Sequence, residues 1–237
     1  ISLVKNTEIT DYCHYFRGYS FKQKKVFEEA KKEFNKISVS FEFNYKVKNN
    51  LGEINLEQGK YNQALFYFNS IRNLSDIIYD FKKSSVLDNI GLCYLHLNKF
   101  DEAEFYLLKS AQLREREKDT ISIIGSYLNI ATLYYDQYKD SLAIPYFEKA
   151  YYLSKKAQSF ELKQTATLNM AVVEENRKNF PLALIYRKEY EAWKDSLNDQ
   201  NKVWAIADLE KKFAIKQKQK QVNILAAENK AKIAERN

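Results

Sequence analysis

Along most of this chain apolar residues return every three or four positions, the spacing of a helix with one buried face. Leu51 and Ile54, with Asn55 beside them, open one such stretch; Ile90, Tyr94 and Leu97 open the next, and Ile130, Leu133 and Tyr134 a third. A short polar break closes each stretch, at Glu57-Gln58-Gly59-Lys60, Asn98-Lys99, Lys139-Asp140 and Lys178-Asn179, and a second helical pattern follows every break. The pattern predicts helix, tight turn, helix, written repeatedly down the chain.

The units share a phrase as well as a pattern. Asn50-Leu51-Gly52, Asn89-Ile90-Gly91, Asn129-Ile130-Ala131 and Asn169-Met170-Ala171 follow one another at intervals of 39, 40 and 40 residues. Twelve residues after each small residue stands an alanine: Ala64, Ala103, Ala143 and Ala183. Two positions in one register through four copies mark a solenoid. The two small positions are expected to face each other so that the helices of a unit approach closely, with Tyr61, Phe100 and Phe180 filling the space near the turn. In the third copy Asp140 is expected to cap the second helix, leaving Pro145 at about its fifth position, where it bends the helix mildly without breaking it.

At these positions the chain resembles the tetratricopeptide repeat, whose pattern has Leu-Gly or Leu-Ala, an aromatic three later, an alanine twelve after the small residue and an aromatic four after that. Ile90-Gly91, Tyr94, Phe100 and Ala103 carry the likeness best, and Tyr134, Ala143 and Phe147 extend it. The chain departs from the pattern where Lys48, Leu87, Tyr127 and Thr167 replace an early tryptophan, where the closing proline is missing, and where Glu174 and Arg187 replace aromatics. The resemblance covers roughly residues 40 to 197 and implies an all-α solenoid of helical hairpins wound as a right-handed superhelix. Residues 1–38 read as a degenerate first pair, broken at Arg17-Gly18-Tyr19-Ser20, with Lys25 where the 39-to-40-residue register calls for alanine. Residues 39–198 hold the four repeats. Residues 199–237 read as a separate long helix, the first part of which, from Trp204 to Phe213, caps the last repeat while the rest projects.

The resemblance also implies a groove lined by the first helix of each unit, through side chains two before and one, four and five after the small residue. Those are Asn50, Glu53, Leu56 and Glu57; Asn89, Leu92, Leu95 and His96; Asn129, Thr132, Tyr135 and Asp136; and Asn169, Val172, Glu175 and Asn176. An asparagine opens all four sets, and its donor and acceptor suit either the backbone of an extended peptide or a tie to the next repeat. The family's carboxylate clamp places Lys or Arg three before or one after the small residue; here Asn49, Glu53, Asp88, Leu92, Leu128, Thr132, Leu168 and Val172 hold those places. With Glu53, Glu57, Asp88, Asp136 and Glu175 in or beside the groove, the expected partner segment is neutral to basic, or apolar.

Composition narrows the chemistry further. Five glycines and two prolines in 237 residues leave little room for irregular structure, and 18 Tyr and 15 Phe supply apolar surface to pack. The net charge of +7 is carried by 31 lysines and 7 arginines interleaved with acids, and +4 of it falls from Asp199 onward, which reads as a solvated helix surface and not as a nucleic-acid footprint. Two cysteines, Cys13 and Cys93, and two histidines, His14 and His96, are too few for a zinc cage. No glycine-rich phosphate loop, nucleophile–base pair or metal motif is present, so the region reads as non-catalytic, with no cofactor or metal. The first residue is Ile1 and the single methionine is Met170, which points to a removed leader or a domain of a larger protein.

The long lysine-rich terminal helix resembles the segment that leads out of the tetratricopeptide input domain in a class of bacterial sensor histidine kinases and related regulators. That likeness implies a peptide- or protein-binding sensor of a two-component type, signalling through a helix that pairs with a second copy by Leu209, Phe213, Val222 and Leu225. It favours the extracytoplasmic side of a membrane-anchored protein, with the membrane reached only through segments outside this sequence. Two alternatives stand beside it: a stand-alone cytoplasmic peptide receptor or adaptor, and a chain whose own basic tail occupies the groove.

Overall fold

The computed structural model describes residues 6–74 and 82–234, and all regular structure among them is helical. The helices are α1 (Asn6–Gln23), α2 (Phe27–Phe34), α3 (Asn44–Glu57), α4 (Tyr61–Ile71), α5 (Lys83–His96), α6 (Phe100–Glu117), α7 (Thr120–Asp136), α8 (Asp140–Lys156), α9 (Phe160–Asn176) and α10 (Phe180–Ala234). They form the solenoid of helical hairpins that the repeats predict, in two compact units, residues 1–157 with α1 to α8 and residues 158–237 with α9 and α10. No helix among the described residues is long and apolar enough to cross a membrane.

One local device makes every hairpin. Lys25, Gly59, Asn98, Tyr138 and Lys178 adopt left-handed φ values of 57°, 71°, 57°, 59° and 61°, each seven residues after a small residue. The amide of the next residue then donates back across the turn, from Val26, Lys60, Lys99, Lys139 and Asn179 to the carbonyls of Phe21, Asn55, Tyr94, Tyr134 and Glu174. This is the Schellman closure, which satisfies the carbonyls that a helix end leaves open. Only one of the five left-handed residues is glycine. The connection after α6 uses the same closure, with Lys118 at φ 55° and the Asp119 amide donating to the Arg114 carbonyl, and side-chain caps start the next hairpins: the Asp119 carboxylate accepts from the Ser122 amide at 3.1 Å to start α7, and the Ser159 hydroxyl accepts from Leu162 at 3.3 Å to start α9.

The close approach inside each hairpin comes from a contact that the repeat register only half reveals. A Cβ on Gly52 would lie 2.6 Å from the Phe68 ring, and one on Gly91 would lie 2.7 Å from Leu107. The small residue therefore receives the side chain sixteen positions later, while the alanine twelve later is itself buried; the two small positions do not simply face one another. Ala64, Ala103 and Ala143 are fully enclosed. Phe68, Ile71, Val86, Ile90 and Cys93 fill the layer between α3/α4 and α5, with burial pushing the Cys93 thiol up to about 12.

The same register exposes a fifth repeat. Gly18 lies inside an unbroken α1, a Cβ there would meet the Phe34 ring at 2.8 Å, and Ala30 is fully buried. Gly18, Ala30 and Phe34 thus keep the 12 and 16 spacing of Gly52, Ala64 and Phe68, and the break expected at Arg17-Gly18-Tyr19-Ser20 does not occur. The first pair is a full repeat, set 34 residues before the next instead of 39, with a second helix of eight residues against eleven in α4 and a shorter connection to the next unit.

Other expectations change as well. α8 starts from Lys139 as its cap, with Asp140 as its first helical residue, and runs on through Pro145. Phe180 is 64% exposed and does not fill the turn of the last hairpin. α10 continues without interruption through Ser196-Leu197-Asn198, so the boundary expected after residue 198 falls inside a 55-residue helix. Trp204, expected to cap the last repeat, is 61% exposed.

Candidate functional site

The first helices of the first three hairpins, α1, α3 and α5, touch in sequence, α1 with α3 and α3 with α5. Between them lies a cleft of about 450 Å³ lined by Tyr15, Tyr19, Lys22 and Gln23 from α1, by Tyr45, Lys46, Asn49, Asn50 and Glu53 from α3, and by Lys82, Ser85 and Val86 at the start of α5. A smaller recess of about 350 Å³ adjoins it, sharing Tyr15, Tyr19 and Lys46 and adding Tyr12, Phe16 and Phe43.

Helical spacing places these groups together. Phe16, Tyr19, Lys22 and Gln23 stand two before and one, four and five after Gly18, the groove offsets of a repeat. Recognising Gly18 as a small residue in register would have predicted all four. The Lys22 side chain, 11% exposed, pairs with Glu53 and donates to the Asn50 side-chain oxygen at 2.9 Å. Asn50 in turn donates to the Lys46 carbonyl at 2.8 Å. Burial raises the Tyr15 hydroxyl above its ordinary 10.0, opposed by its hydrogen bond with Asn50 and by the Lys46 charge. Lys46 lies over the Phe43 ring at 4.9 Å and the Tyr45 ring at 5.8 Å, which holds its ammonium where the two recesses meet.

Of the residues expected in the groove, the structure gathers Asn50 and Glu53 into this cleft. Their partners decide what they offer. Asn50 is tied to α1 through Lys22, and Asn129 donates to the Asp88 carboxylate at 3.0 Å, so these two asparagines join neighbouring repeats. Asn89 and Asn169 are half-buried, as are Leu92, Thr132, Tyr135 and Val172, while Glu57, His96, Asp136 and Asn176 are exposed. Leu95 is buried. His96 stacks on Tyr61 with ring centres 4.7 Å apart.

Three of the five acids expected in or beside the groove, Glu53, Asp88 and Glu175, are paired, while Glu57 and Asp136 are exposed. Asp88 is buried between α5, α6 and α7, where Arg114 approaches it at 3.3 Å and the Arg114 guanidinium also donates to Ser126 at 2.6 Å. Burial nevertheless raises the Asp88 carboxyl, with Arg114, Ser126 and Asn129 opposing it. Glu53 is matched by Lys22, and Glu175 receives two bonds from Arg187, at 2.7 and 2.8 Å. Among the described residues, three lysines and one carboxylate line the cleft, and Lys22 is paired with that carboxylate, Glu53. On α10, Val222 and Leu225 are 57% and 58% exposed, and the side chains of Leu209 and Phe213 lie outside the described residues. No group of three or more metal-ligating side chains occurs among the described residues.

The cleft lies on the first helices of stacked hairpins, the face on which repeat solenoids build their binding surfaces. Models of the tetratricopeptide repeat match residues 84–117 and 123–157. The chain carries tetratricopeptide repeats over these residues. No curated protein matches its sequence. Among solved structures, aspartyl phosphate phosphatase F from Bacillus subtilis superposes with a TM-score of 0.72 at 15% identity, over 81% of this chain and 52% of that one. The apo form of RapI gives 0.71 at 15% identity, over 80% and 72%. A Rap protein complexed with competence and sporulation factor gives 0.66 at 14% identity, over 79% and 56%. The chain thus spans about half the length of the phosphatase, and the likeness is one of fold.

Proposed function

We propose that this chain is the non-catalytic, peptide- or protein-binding input region of a larger bacterial signalling protein, and that α10 carries its output. The observation behind this reading is the continuity of α10. It starts as the second helix of the last hairpin, packed on α9, and runs on as the same rigid element to Ala234. A change in the tilt or packing of that hairpin becomes a displacement of the helix's far end, because a helix transmits rotation along its axis. Exposed Val222, Ile224 and Leu225 near that end supply an apolar face for a paired helix from a second copy. The structural likeness to a Rap protein complexed with competence and sporulation factor supports ligand binding by such a solenoid. In this reading the region sits on the extracytoplasmic side of a membrane-anchored protein.

Truncation after Leu197, compared with the whole chain by light scattering and by peptide titration, tests the proposal. The expected result is a dimer that is lost on truncation, with binding in the cleft retained. A monomer in both forms overturns the signalling role of α10 and leaves the second reading, a stand-alone receptor or adaptor, which the likeness to RapI over most of both chains supports.

A further inference from the structure

We infer that the last hairpin carries an uncovered stacking face, Phe180 and Leu184 on α10, and that an amphipathic helix of another protein docks there with apolar residues at i, i+4 and i+7. This goes beyond the reading above, since it concerns neither the cleft nor the far end of α10.

Register defines the face. The residues nine and thirteen after each small residue lie on the second helix of a hairpin, where they meet the first helix of the following repeat. In α2 they are Phe27, packed on the cluster that holds Val47, Leu51 and Ile54, and Lys31, which donates to Gln58 at the end of α3. In α4 they are Tyr61, stacked on His96, and Leu65, buried with Val86, Ile90 and Cys93. In α6 Phe100 is half-buried and Glu104 accepts from the Tyr134 hydroxyl of α7 at 2.7 Å. In α10 the same two places hold Phe180 and Leu184, which are 64% and 57% exposed. Four residues apart, they share one side of the helix. Position fourteen supplies the contrast: Phe66 and Phe105 are exposed there although a repeat follows each, so the exposure of Ile185 is ordinary.

The helices that cover this face elsewhere define the occupant. Val47, Leu51 and Ile54 of α3, and Val86, Ile90 and Cys93 of α5, stand at i, i+4 and i+7 and are buried. A docking helix with that row reproduces the contact. The equivalent row on α1 is Cys13, Arg17 and Ser20, all exposed and without a large apolar side chain. That end of the stack is finished with polar groups, as a terminal repeat is expected to be, and the α1 of a second copy does not suit the face on α10. Nor does a later helix among the described residues cover it, because α10 runs on unbroken.

Helices with randomised surface positions, displayed on a three-helix scaffold and selected on the immobilised full chain, provide the test, with the winner titrated by interferometry. The winner is expected to present apolar residues at i, i+4 and i+7. Its affinity falls by about tenfold with Leu184→Lys and by a similar factor with Phe180→Ser, as the loss of one buried apolar side chain requires. Ile185→Lys, on the same helix, leaves it unchanged. All three positions are exposed, so the hairpin tolerates each substitution. Truncation after Leu197 also leaves binding intact, which keeps the result independent of any signalling role of α10. An equal loss with Ile185→Lys overturns the assignment to the stacking register. Winners indifferent to Phe180 and Leu184, or no enrichment, overturn the docking site. An oligomer of the full chain that Leu184→Lys dissociates in light scattering makes a second copy the occupant and overturns the partner helix.

Discussion

The hairpin α5/α6 and the hairpin α9/α10 have the same turn and small residues at the same two positions, yet they are closed by opposite chemistry. In α5/α6, Gly91 receives Leu107, and Tyr94 stacks on Tyr106 with centroids 5.6 Å apart. In α9/α10 the corresponding places hold Glu174 and Arg187. Glu174 is buried and accepts from Arg177 and from the Asn179 side chain, each at 2.8 Å, while Arg187 grips Glu175 from the far helix. Turn and small-residue register therefore specify the hairpin. The neighbouring positions accept either apolar packing or a satisfied polar network, because both leave no unpaired group inside.

The two hairpins also differ in where their ion pairs lie, and the largest expected effect comes from there. Asp88 and Arg114 are both nearly fully buried, and removing one strands the other. Asp88→Ala should cost about 3–5 kcal/mol in chemical denaturation, since an uncompensated buried guanidinium is left among α5, α6 and α7. A loss no larger than that of a surface substitution would show that water reaches Arg114, and the contrast between the hairpins would disappear.

Next in size is the packing contact. In Gly91→Ala the new methyl would sit 2.7 Å from the Leu107 side chain and 3.2 Å from its backbone nitrogen, so the helices must part. Overpacking of this kind costs about 1–3 kcal/mol. Melting temperature is the readout, and an unchanged value would mean that the apolar hairpin has slack that its geometry does not show.

Acid separates charge from packing within one experiment. Hydrogen bonds from Lys36 and His14 hold the Glu33 carboxyl, which joins α2 to α1, down from its usual 4.5 to about 2. A depressed folded value means that the unfolded chain binds the proton first, so the stabilisation is complete above the unfolded range and drains away as pH falls towards 2. Glu175 is lowered too, by its bonds from Arg187. Asp88 runs the other way: burial raises it, so acidification withdraws no stability through that group. Hydrogen exchange followed from pH 6 downward should therefore show α1/α2 and α9/α10 losing protection before α5/α6. Glu33→Gln should flatten the response of α1/α2.

How much of this is legible in the chain depends on the distance between interacting residues. The hairpins can be read because their signals are local: a turn within seven residues of a small residue, an alanine at twelve. The first repeat escapes that reading because its interval to the next unit, 34 residues, departs from the 39 and 40 of the others, while the register inside the unit does not. Gly18, Ala30 and Phe34 are visible once the internal spacing is sought instead of the period. The character of the cleft cannot be reached this way. Which lysine meets Glu53, or which arginine meets Asp88, is settled between helices 26 to 31 residues apart, and helical offset alone assigns Asn50, Asn129 and Asp88 to an open groove when other repeats already hold them.

The smallest effect is the sharpest test of interchangeability. Arg187 and Glu175 keep roughly two-fifths of their side chains exposed, a setting in which ion pairs contribute little because water screens them and ordering two long side chains opposes them. Arg187→Leu places at this position the residue that the α5/α6 hairpin uses, against Ala171 instead of Gly91. Its melting temperature should stay within the scatter of replicates of the parent protein, and the salt dependence contributed by the Glu175 pair should vanish. A marked loss of stability would mean that the polar closure of α9/α10 is required by that hairpin and is not an alternative to leucine packing. The small residues would then specify the approach of the helices only together with the partner that each hairpin already has.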